Sequence, residues 1–204
     1  MKKTLLIITS LVFITSVVFP QSKMDIDNLI DMDGLLYKPN DDKPYTGKVF
    51  DLYDNAKKKF DGKYRNGLKN GKWTWWYENG RKKREVTYKD GKEDGLLTDW
   101  YEKGQQKMEG TYKDGKQDGK WTYWYENGQT KQEGTFKDGK QVDKWTAWYR
   151  TGENKSGGTY RDGKKDGPWT EWYNTGQKYY EEIYKDRKLI ESKKWDSDGN
   201  LIED

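Results

Sequence analysis

The chain has 204 residues, of which 36% are charged and 31% hydrophobic, and its formal net charge is +4. This small excess of basic residues argues against nucleic-acid binding, which needs a concentrated basic surface. The chain contains no histidine and no cysteine. This composition excludes thiol nucleophiles, disulfides, Cys/His zinc sites and the commonest general base. We therefore expect no enzymatic activity, no metal and no cofactor.

The N-terminal segment, residues 1–22, is predicted to be a signal peptide. Lys2 and Lys3 precede a nearly unbroken apolar run, residues 4–19, which is shorter than the ~20 residues that a membrane-spanning helix needs. We expect export to the periplasm, the cell surface or the medium of a bacterium, with no transmembrane segment after cleavage. An uncleaved anchor is the alternative.

Residues 23–35 form an acidic lead-in. Its aspartates match a calcium-binding loop only in part, because no glutamate closes the pattern at the twelfth position. We predict a solvated segment. The aspartates are Asp25, Asp27, Asp31 and Asp33.

The rest of the chain, residues 36–204, repeats at a fixed spacing. One series of tryptophans, each followed by tyrosine, consists of Trp76, Trp100, Trp124, Trp148 and Trp172. A series of glycines with the same spacing consists of Gly80, Gly104, Gly128, Gly152 and Gly176. Such a period is typical of repeat proteins, in which each unit buries its apolar face only against its neighbours. We assign both series to the structure of the repeat.

Each unit is predicted to contain two antiparallel strands. In one copy, KMEGTYK at residues 107–113 leads to Asp114-Gly115, and KWTYWY at residues 120–125 leads to Asn127-Gly128. Short runs rich in Thr, Trp and Tyr, bounded by D-G and N-G pairs, indicate hairpins. The predicted fold class is all-β, an elongated single-layer antiparallel β-meander of tandem 24-residue β-hairpin repeats.

The two ends of the repeat domain differ from its centre. We predict an N-terminal cap at about residues 36–55 and a C-terminal cap at about residues 188–204, because terminal repeats must close an open end. Arg187 precedes the second cap, where the other units have glycine. Two further departures, Leu97 at a tryptophan position and Asp143 at a glycine position, are predicted to loosen their units.

The repeat unit resembles the bacterial MORN-repeat variant. The resemblance rests on the recurring pattern G-x-Y-x-D-G-x-x-x-G-x-W-x-x-W-Y-x-x-G, which begins here at Gly110 and ends at Gly128. It implies a sheet of repeated β-hairpins with no enzymatic activity of its own. Some members of that family carry the label of a toxin-antitoxin antitoxin. Eukaryotic relatives are associated with membrane junctions, lipid head groups and dimer scaffolds.

Positions that vary between repeats are candidates for binding, because the hairpin does not dictate them. In the second strand, the residue two positions after the Trp121 position is Trp75, Asp99, Tyr123, Ala147 and Glu171 in successive units. We predict Trp75 and Tyr123 as the first contact residues. Period-two alternation places Trp121 and Tyr125 on the same face as Tyr123. The alternative is that these aromatic side chains only cover a neighbouring strand.

The function predicted from the sequence is that of an exported, non-enzymatic repeat scaffold that binds another protein or a peptide. Two alternatives remain open. One is an antitoxin-like protein of a toxin-antitoxin pair, as the resemblance implies. The other is carbohydrate, cell-wall or membrane-lipid binding through an aromatic face, since a ladder of rings every ~10 Å can stack on sugars or grip an extended chain.

Overall fold

A computed structural model describes residues 23–202, so the predicted signal peptide lies outside the described residues. The strands are β1 Met24–Asp25, β2 Ile30–Met32, β3 Leu35–Tyr37, β4 Gly47–Leu52, β5 Lys58–Arg65, β6 Leu68–Lys69, β7 Gly71–Trp76, β8 Lys82–Lys89, β9 Lys92–Trp100, β10 Gln106–Lys113, β11 Lys116–Trp124, β12 Thr130–Lys137, β13 Lys140–Trp148, β14 Asn154–Arg161, β15 Lys164–Trp172, β16 Lys178–Lys185, β17 Lys188–Trp195 and β18 Leu201–Ile202. A short 3-10 helix, Ile26–Asn28, follows β1.

Among the described residues, sixteen strands form one sheet, in which each strand from β7 onward pairs antiparallel with the next strand of the chain. The two-stranded sheet β2-β3 lies apart from it. The predicted all-β meander of hairpins is therefore confirmed. Within residues 23–202, no helix is long and apolar enough to cross a membrane.

The two kinds of predicted turn have different geometries. In the D-G turn both residues are left-handed, with φ of 51° at Asp114 and 82° at Gly115, as a two-residue hairpin requires. In the N-G turn only Gly128 is left-handed, with φ of 85°, and its N–H donates to the Tyr125 carbonyl at 2.9 Å. This second turn needs one more residue and ends in a left-handed glycine.

Hydrogen bonds join successive repeats on both sides of the sheet where the turns lie. On the side of the D-G turns, the Gly115 N–H donates to the carbonyl of Glu93, one repeat earlier, at 2.8 Å. On the side of the N-G turns, the Tyr101 hydroxyl donates to the Trp124 carbonyl, one repeat later, also at 2.8 Å. The same tyrosine bond recurs at Tyr53, Tyr77, Tyr125, Tyr149 and Tyr173. The tyrosine of each Trp-Tyr pair therefore fixes the spacing of the repeats.

The core of the sheet is a row of buried tryptophans, each lying on a glycine or valine of the neighbouring strand. Trp121 is 1% exposed, and a Cβ on Gly110 would lie 2.2 Å from its ring. The indole N–H of Trp121 donates to the Thr111 carbonyl at 3.2 Å. The row consists of Trp73, Trp121, Trp145 and Trp169. Glycine is required at Gly110 because the ring occupies the place of a side chain.

The prediction of a looser unit at Leu97 is wrong, and the sheet also stays paired at Asp143. Leu97 and Val86, its partner across the strands, are both 0% exposed. Here valine and leucine replace the glycine and tryptophan of the other units, so two medium-sized side chains take the place of one large ring. Asp143 adopts φ of 57°, the left-handed conformation of the glycines at its equivalent positions, and it keeps its pairing with Tyr160.

The prediction that the acidic lead-in is solvated is wrong for its apolar residues. Met24 and Asp25 pair in parallel with Val49 and Phe50 of β4. Met24 and Ile26, together with Leu29 beyond the 3-10 helix, pack against the buried cluster. The lead-in therefore covers the backbone groups at the N-terminal edge of the large sheet, which would otherwise be open to pairing.

Candidate functional site

One face of the sheet carries a continuous row of side chains that differ from repeat to repeat. We call it the variable stripe. Its members are direct cross-strand neighbours, so their side chains share a face. The stripe consists of Phe60, Trp75, Arg84, Asp99, Met108, Tyr123, Gln132, Ala147, Ser156, Glu171, Tyr180 and Lys194. The position that varied in the sequence is therefore half of one linear surface.

The N-terminal part of the variable stripe is built from rings and one ion pair. Trp75 stacks on the buried Trp73, with ring centres 5.6 Å apart. Arg84 donates to both carboxylate oxygens of Asp99, at 2.7 and 3.2 Å. Because guanidinium and carboxylate fit each other in this two-bond geometry, the pair holds both side chains in place.

A cavity lies beside Trp75. It is open to solvent on one side and has a volume of about 430 Å³, and Tyr77 and Tyr88 form part of its wall. The ammonium group of Lys69, which also lines the cavity, lies 5.5 Å from the centre of the Trp75 ring. Burial lowers the pKa of Lys69, and the nearby Glu93 carboxylate opposes that shift. The wall combines aromatic surface with positive charge.

A second cavity lies where the variable stripe narrows to Ala147 and Ser156. It is also open to solvent and has a volume of about 270 Å³, and Trp145, Tyr160 and Trp169 form its aromatic wall. Larger side chains occupy the equivalent of Ala147 in the other repeats, so the small residue opens this cavity. The stripe therefore contains a hollow that is shaped by sequence variation and lined by recurrent rings of the repeat.

The structure separates the four residues predicted for binding. Trp75 and Tyr123 lie half-buried on the variable stripe, two repeats apart. Trp121 is 1% exposed, so a partner cannot contact it and its assignment as a contact residue is wrong. Its ring packs beneath the side chains of the variable stripe. The Tyr125 hydroxyl is held by the Trp148 carbonyl at 2.9 Å. Its ring lines the smaller cavity together with Ala147 and Ser156.

Sequence reasoning assigned no binding role to a row of lysines that lies beside the variable stripe. Each ammonium group lies over the ring of a tyrosine from the Trp-Tyr series, at 5.7 to 5.8 Å from the ring centre. We call these residues the lysine row: Lys83, Lys107, Lys131 and Lys155. Their spacing of one per repeat was visible in the sequence. The β-bulge next to each Trp-Tyr pair, which places these lysines on the side of the variable stripe, was not visible in the sequence.

Comparison with protein families identifies the repeat. The model described as the MORN repeat variant matches residues 69–90, 117–138 and 165–186. The chain contains MORN repeats. Each match begins two repeats after the one before it, so the matched segments are alternate copies of the same unit. A comparison with curated proteins gave no significant match.

Several charged side chains on the opposite face of the MORN-repeat sheet form ion pairs with one another. There Lys120 pairs with Glu133 at 2.9 Å, and Lys82 pairs with Glu85 at 2.8 Å. By contrast, none of the four lysines of the lysine row forms a salt bridge with another residue of the described chain. No group of acidic residues within 23–202 is placed to hold a metal ion.

Proposed function

We propose that the chain is an exported, non-enzymatic MORN-repeat scaffold that binds another protein or a peptide along the variable stripe. One observation carries the proposal: the positions that the hairpin leaves free form a single linear surface with a cavity at each of two places along it. In protein interfaces, a few side chains set into well-packed pockets supply most of the binding free energy. The two cavities have the aromatic walls that such an anchor needs.

The hollow at Ala147 offers the sharpest test. Trp75 occupies the equivalent position in an earlier repeat, so a tryptophan is compatible with the repeat there. The Ala147→Trp variant should fold and fill the cavity of about 270 Å³. Affinity purification from envelope extracts should then lose proteins that the unaltered chain retains.

A matched control uses the same pair of strands on the opposite face. Gly157 stands where four other repeats carry glutamate, namely Glu85, Glu109, Glu133 and Glu181, so Gly157→Glu restores a residue that the repeat accommodates. This variant should retain the same proteins as the unaltered chain. If Ala147→Trp retains the same proteins as the unaltered chain, binding at this part of the stripe is refuted. A second variant, Trp75→Ala, tests the other cavity in the same assay.

A specific feature of the opposite face favours a second candidate function, glycan binding. Toward the two ends of the sheet, lysines lie over the tryptophans of this face. The pairs are Lys58 over Trp76, Lys82 over Trp100 and Lys178 over Trp195, at 5.1 to 5.5 Å from the ring centres. At the central tryptophans the equivalent residues are neutral hydrogen-bonding groups, namely Gln106, Thr130 and Asn154. Uncovered indole rings flanked by amides and hydroxyls suit sugar rings. Sedimentation with insoluble cell-wall glycan tests this function, and a variant that places lysine at all three positions, Gln106→Lys with Thr130→Lys and Asn154→Lys, should abolish any retention.

A further inference from the structure

The lysine row and the variable stripe together define a linear, positively charged surface. Lys83 and Lys107 line the larger cavity, and Lys131 and Lys155 line the smaller one. Arg84, which also lines the larger cavity, is already paired with Asp99. The ammonium groups of the lysine row are therefore the regularly spaced charges of this face that a partner can pair with.

The spacing of the lysine row follows from the sheet. One repeat contributes two strands, and neighbouring strands lie ~4.8 Å apart, so successive lysines are about 10 Å apart along the sheet. A polyproline II helix has three residues per turn and rises ~3.1 Å per residue, so side chains on one side recur every ~9.3 Å. In a β-strand, side chains on one side recur every ~6.7 Å instead. The lysine row matches the first geometry and not the second.

We infer that the lysine row binds an extended acidic segment of a partner protein in a polyproline II conformation, with a carboxylate at every third residue and one carboxylate for each MORN repeat. This inference rests on the proposed function and names the chemistry of its partner. The carboxylates pair with the ammonium groups, while the intervening side chains face the variable stripe and its two cavities. A segment of about ten residues spans all four lysines.

An anionic membrane fits this surface less well. Strands of a sheet are rotated by roughly 20° relative to their neighbours, so the face turns along its length. Between Lys83 and Lys155 lie six successive strand pairings, β8 to β14. A flat bilayer meets such a face over only part of the row, whereas an extended chain can follow it. The cavities between the lysines can also accommodate the side chains of a bound protein segment, whereas lipid head groups would leave them unused.

Synthetic peptides test the inference directly. The probe consists of four Glu-Pro-Pro triplets with a fluorescent label, because proline holds the polyproline II conformation. The control peptide has the same composition with its four glutamates adjacent. Binding to the purified protein is measured by fluorescence anisotropy at low ionic strength. We expect the triplet peptide to bind at least several-fold more tightly than the control peptide.

Charge-matched variants show whether the lysine row is responsible. One variant replaces Lys83, Lys107, Lys131 and Lys155 with glutamine. The other replaces four lysines that form ion pairs with glutamates of the opposite face, namely Lys72, Lys82, Lys120 and Lys178. Both lose the same charge. Each exposed ion pair with the peptide is expected to contribute about two- to fivefold to affinity. Because only the first variant removes lysines that pair with the peptide, only the first variant should lose binding.

Each outcome decides a different point. Equal binding of the two peptides, or equal losses in the two variants, overturns the inference and leaves general charge attraction. Binding to vesicles of anionic phospholipid that disappears in the first variant, without any preference between the peptides, assigns the row to a membrane instead. If Ala147→Trp still loses its partner proteins while the first variant retains them, the acidic segment is refuted and the scaffold function stands.

Discussion

Val86 and Leu97 face each other across strands β8 and β9 and are both completely buried. They occupy the places that a glycine and a tryptophan fill in other units, as at Gly110 and Trp121. The two substitutions, valine for glycine and leucine for tryptophan, therefore compensate for each other in volume. Leu97→Trp alone should destabilise the fold by about 1–3 kcal/mol through overpacking, and Val86→Gly alone by about 2–4 kcal/mol through a cavity.

The double variant carrying both changes restores the glycine-tryptophan pair. Its loss of unfolding free energy should be smaller than the sum of the two single losses by more than about 1 kcal/mol, because the residues are in contact. Chemical denaturation of the four proteins measures this coupling. Additive losses would contradict the compensation.

Adjacent glycines of β14 should respond in opposite ways to alanine. A Cβ on Gly158 would lie 2.2 Å from the Trp169 ring, whereas a Cβ on Gly157 would have its nearest contact at 3.4 Å, with the Trp145 carbonyl. Gly158→Ala should destabilise the sheet by about 1–3 kcal/mol. Gly157→Ala should be neutral or stabilising by up to about 1 kcal/mol, since alanine restricts the unfolded chain. Thermal unfolding of the two variants provides the comparison, and equal melting temperatures would count against the close packing.

Tyr125 is expected to act on stability rather than on binding through its hydroxyl. Tyr125→Phe removes the bond to the Trp148 carbonyl and should cost about 0.5–1.5 kcal/mol. Tyr160→Phe is the control, because Phe136 already occupies the equivalent position in the preceding repeat. Denaturation curves should separate the two variants. A loss of partner binding in Tyr125→Phe with unchanged stability would show that the hydroxyl contacts the partner.

Arg187 is held in a conformation that suits glycine. Its φ is 66°, at the turn position where Gly115 has φ of 82°. A left-handed residue other than glycine costs roughly 1–2 kcal/mol. The ion pair of Arg187 with Asp162 joins two exposed side chains and offsets little of that cost. Arg187→Gly should therefore raise the unfolding free energy by about 1 kcal/mol, while Gly115→Arg should lower it. An unchanged midpoint in Arg187→Gly would mean that the turn relaxes in solution.

Alkaline pH should unfold the protein together with ionisation of its tyrosines. Burial raises the pKa of Tyr64, Tyr88 and Tyr123 above the ordinary value of 10.0, so the folded state holds these protons more tightly than the unfolded state does. Their contribution to stability is complete below about pH 10 and is lost as the pH rises through the folded-state values. Lys69 acts in the opposite direction, since burial lowers its pKa.

The measurement is the unfolding midpoint as a function of pH, followed in parallel with tyrosinate absorbance. We expect the midpoint to fall above about pH 10 and the absorbance to rise cooperatively with unfolding. Ordinary titration of all tyrosines near the usual phenol pKa in a protein that stays folded would contradict the burial of these phenols.

The sequence alone determined the architecture, because the repeat is written in local signals. The D-G and N-G pairs specify hairpin turns, and the fixed period allows each unit to bury its apolar side chains only against its neighbours. The variation at Trp75, Tyr123 and Ala147 was also visible. These signals act within one or two hairpins, so they could be read without knowing how strands pack.

Only the tertiary structure decided how the rows of side chains meet. Cross-strand register joined two variable positions per repeat into one stripe, and it placed Val86 against Leu97 of the following strand. The β-bulges beside the Trp-Tyr pairs brought Lys83 and its equivalents onto the face of that stripe. A bulge shifts side chains between faces by one residue, so strict alternation could not predict which lysines would lie beside the cavities.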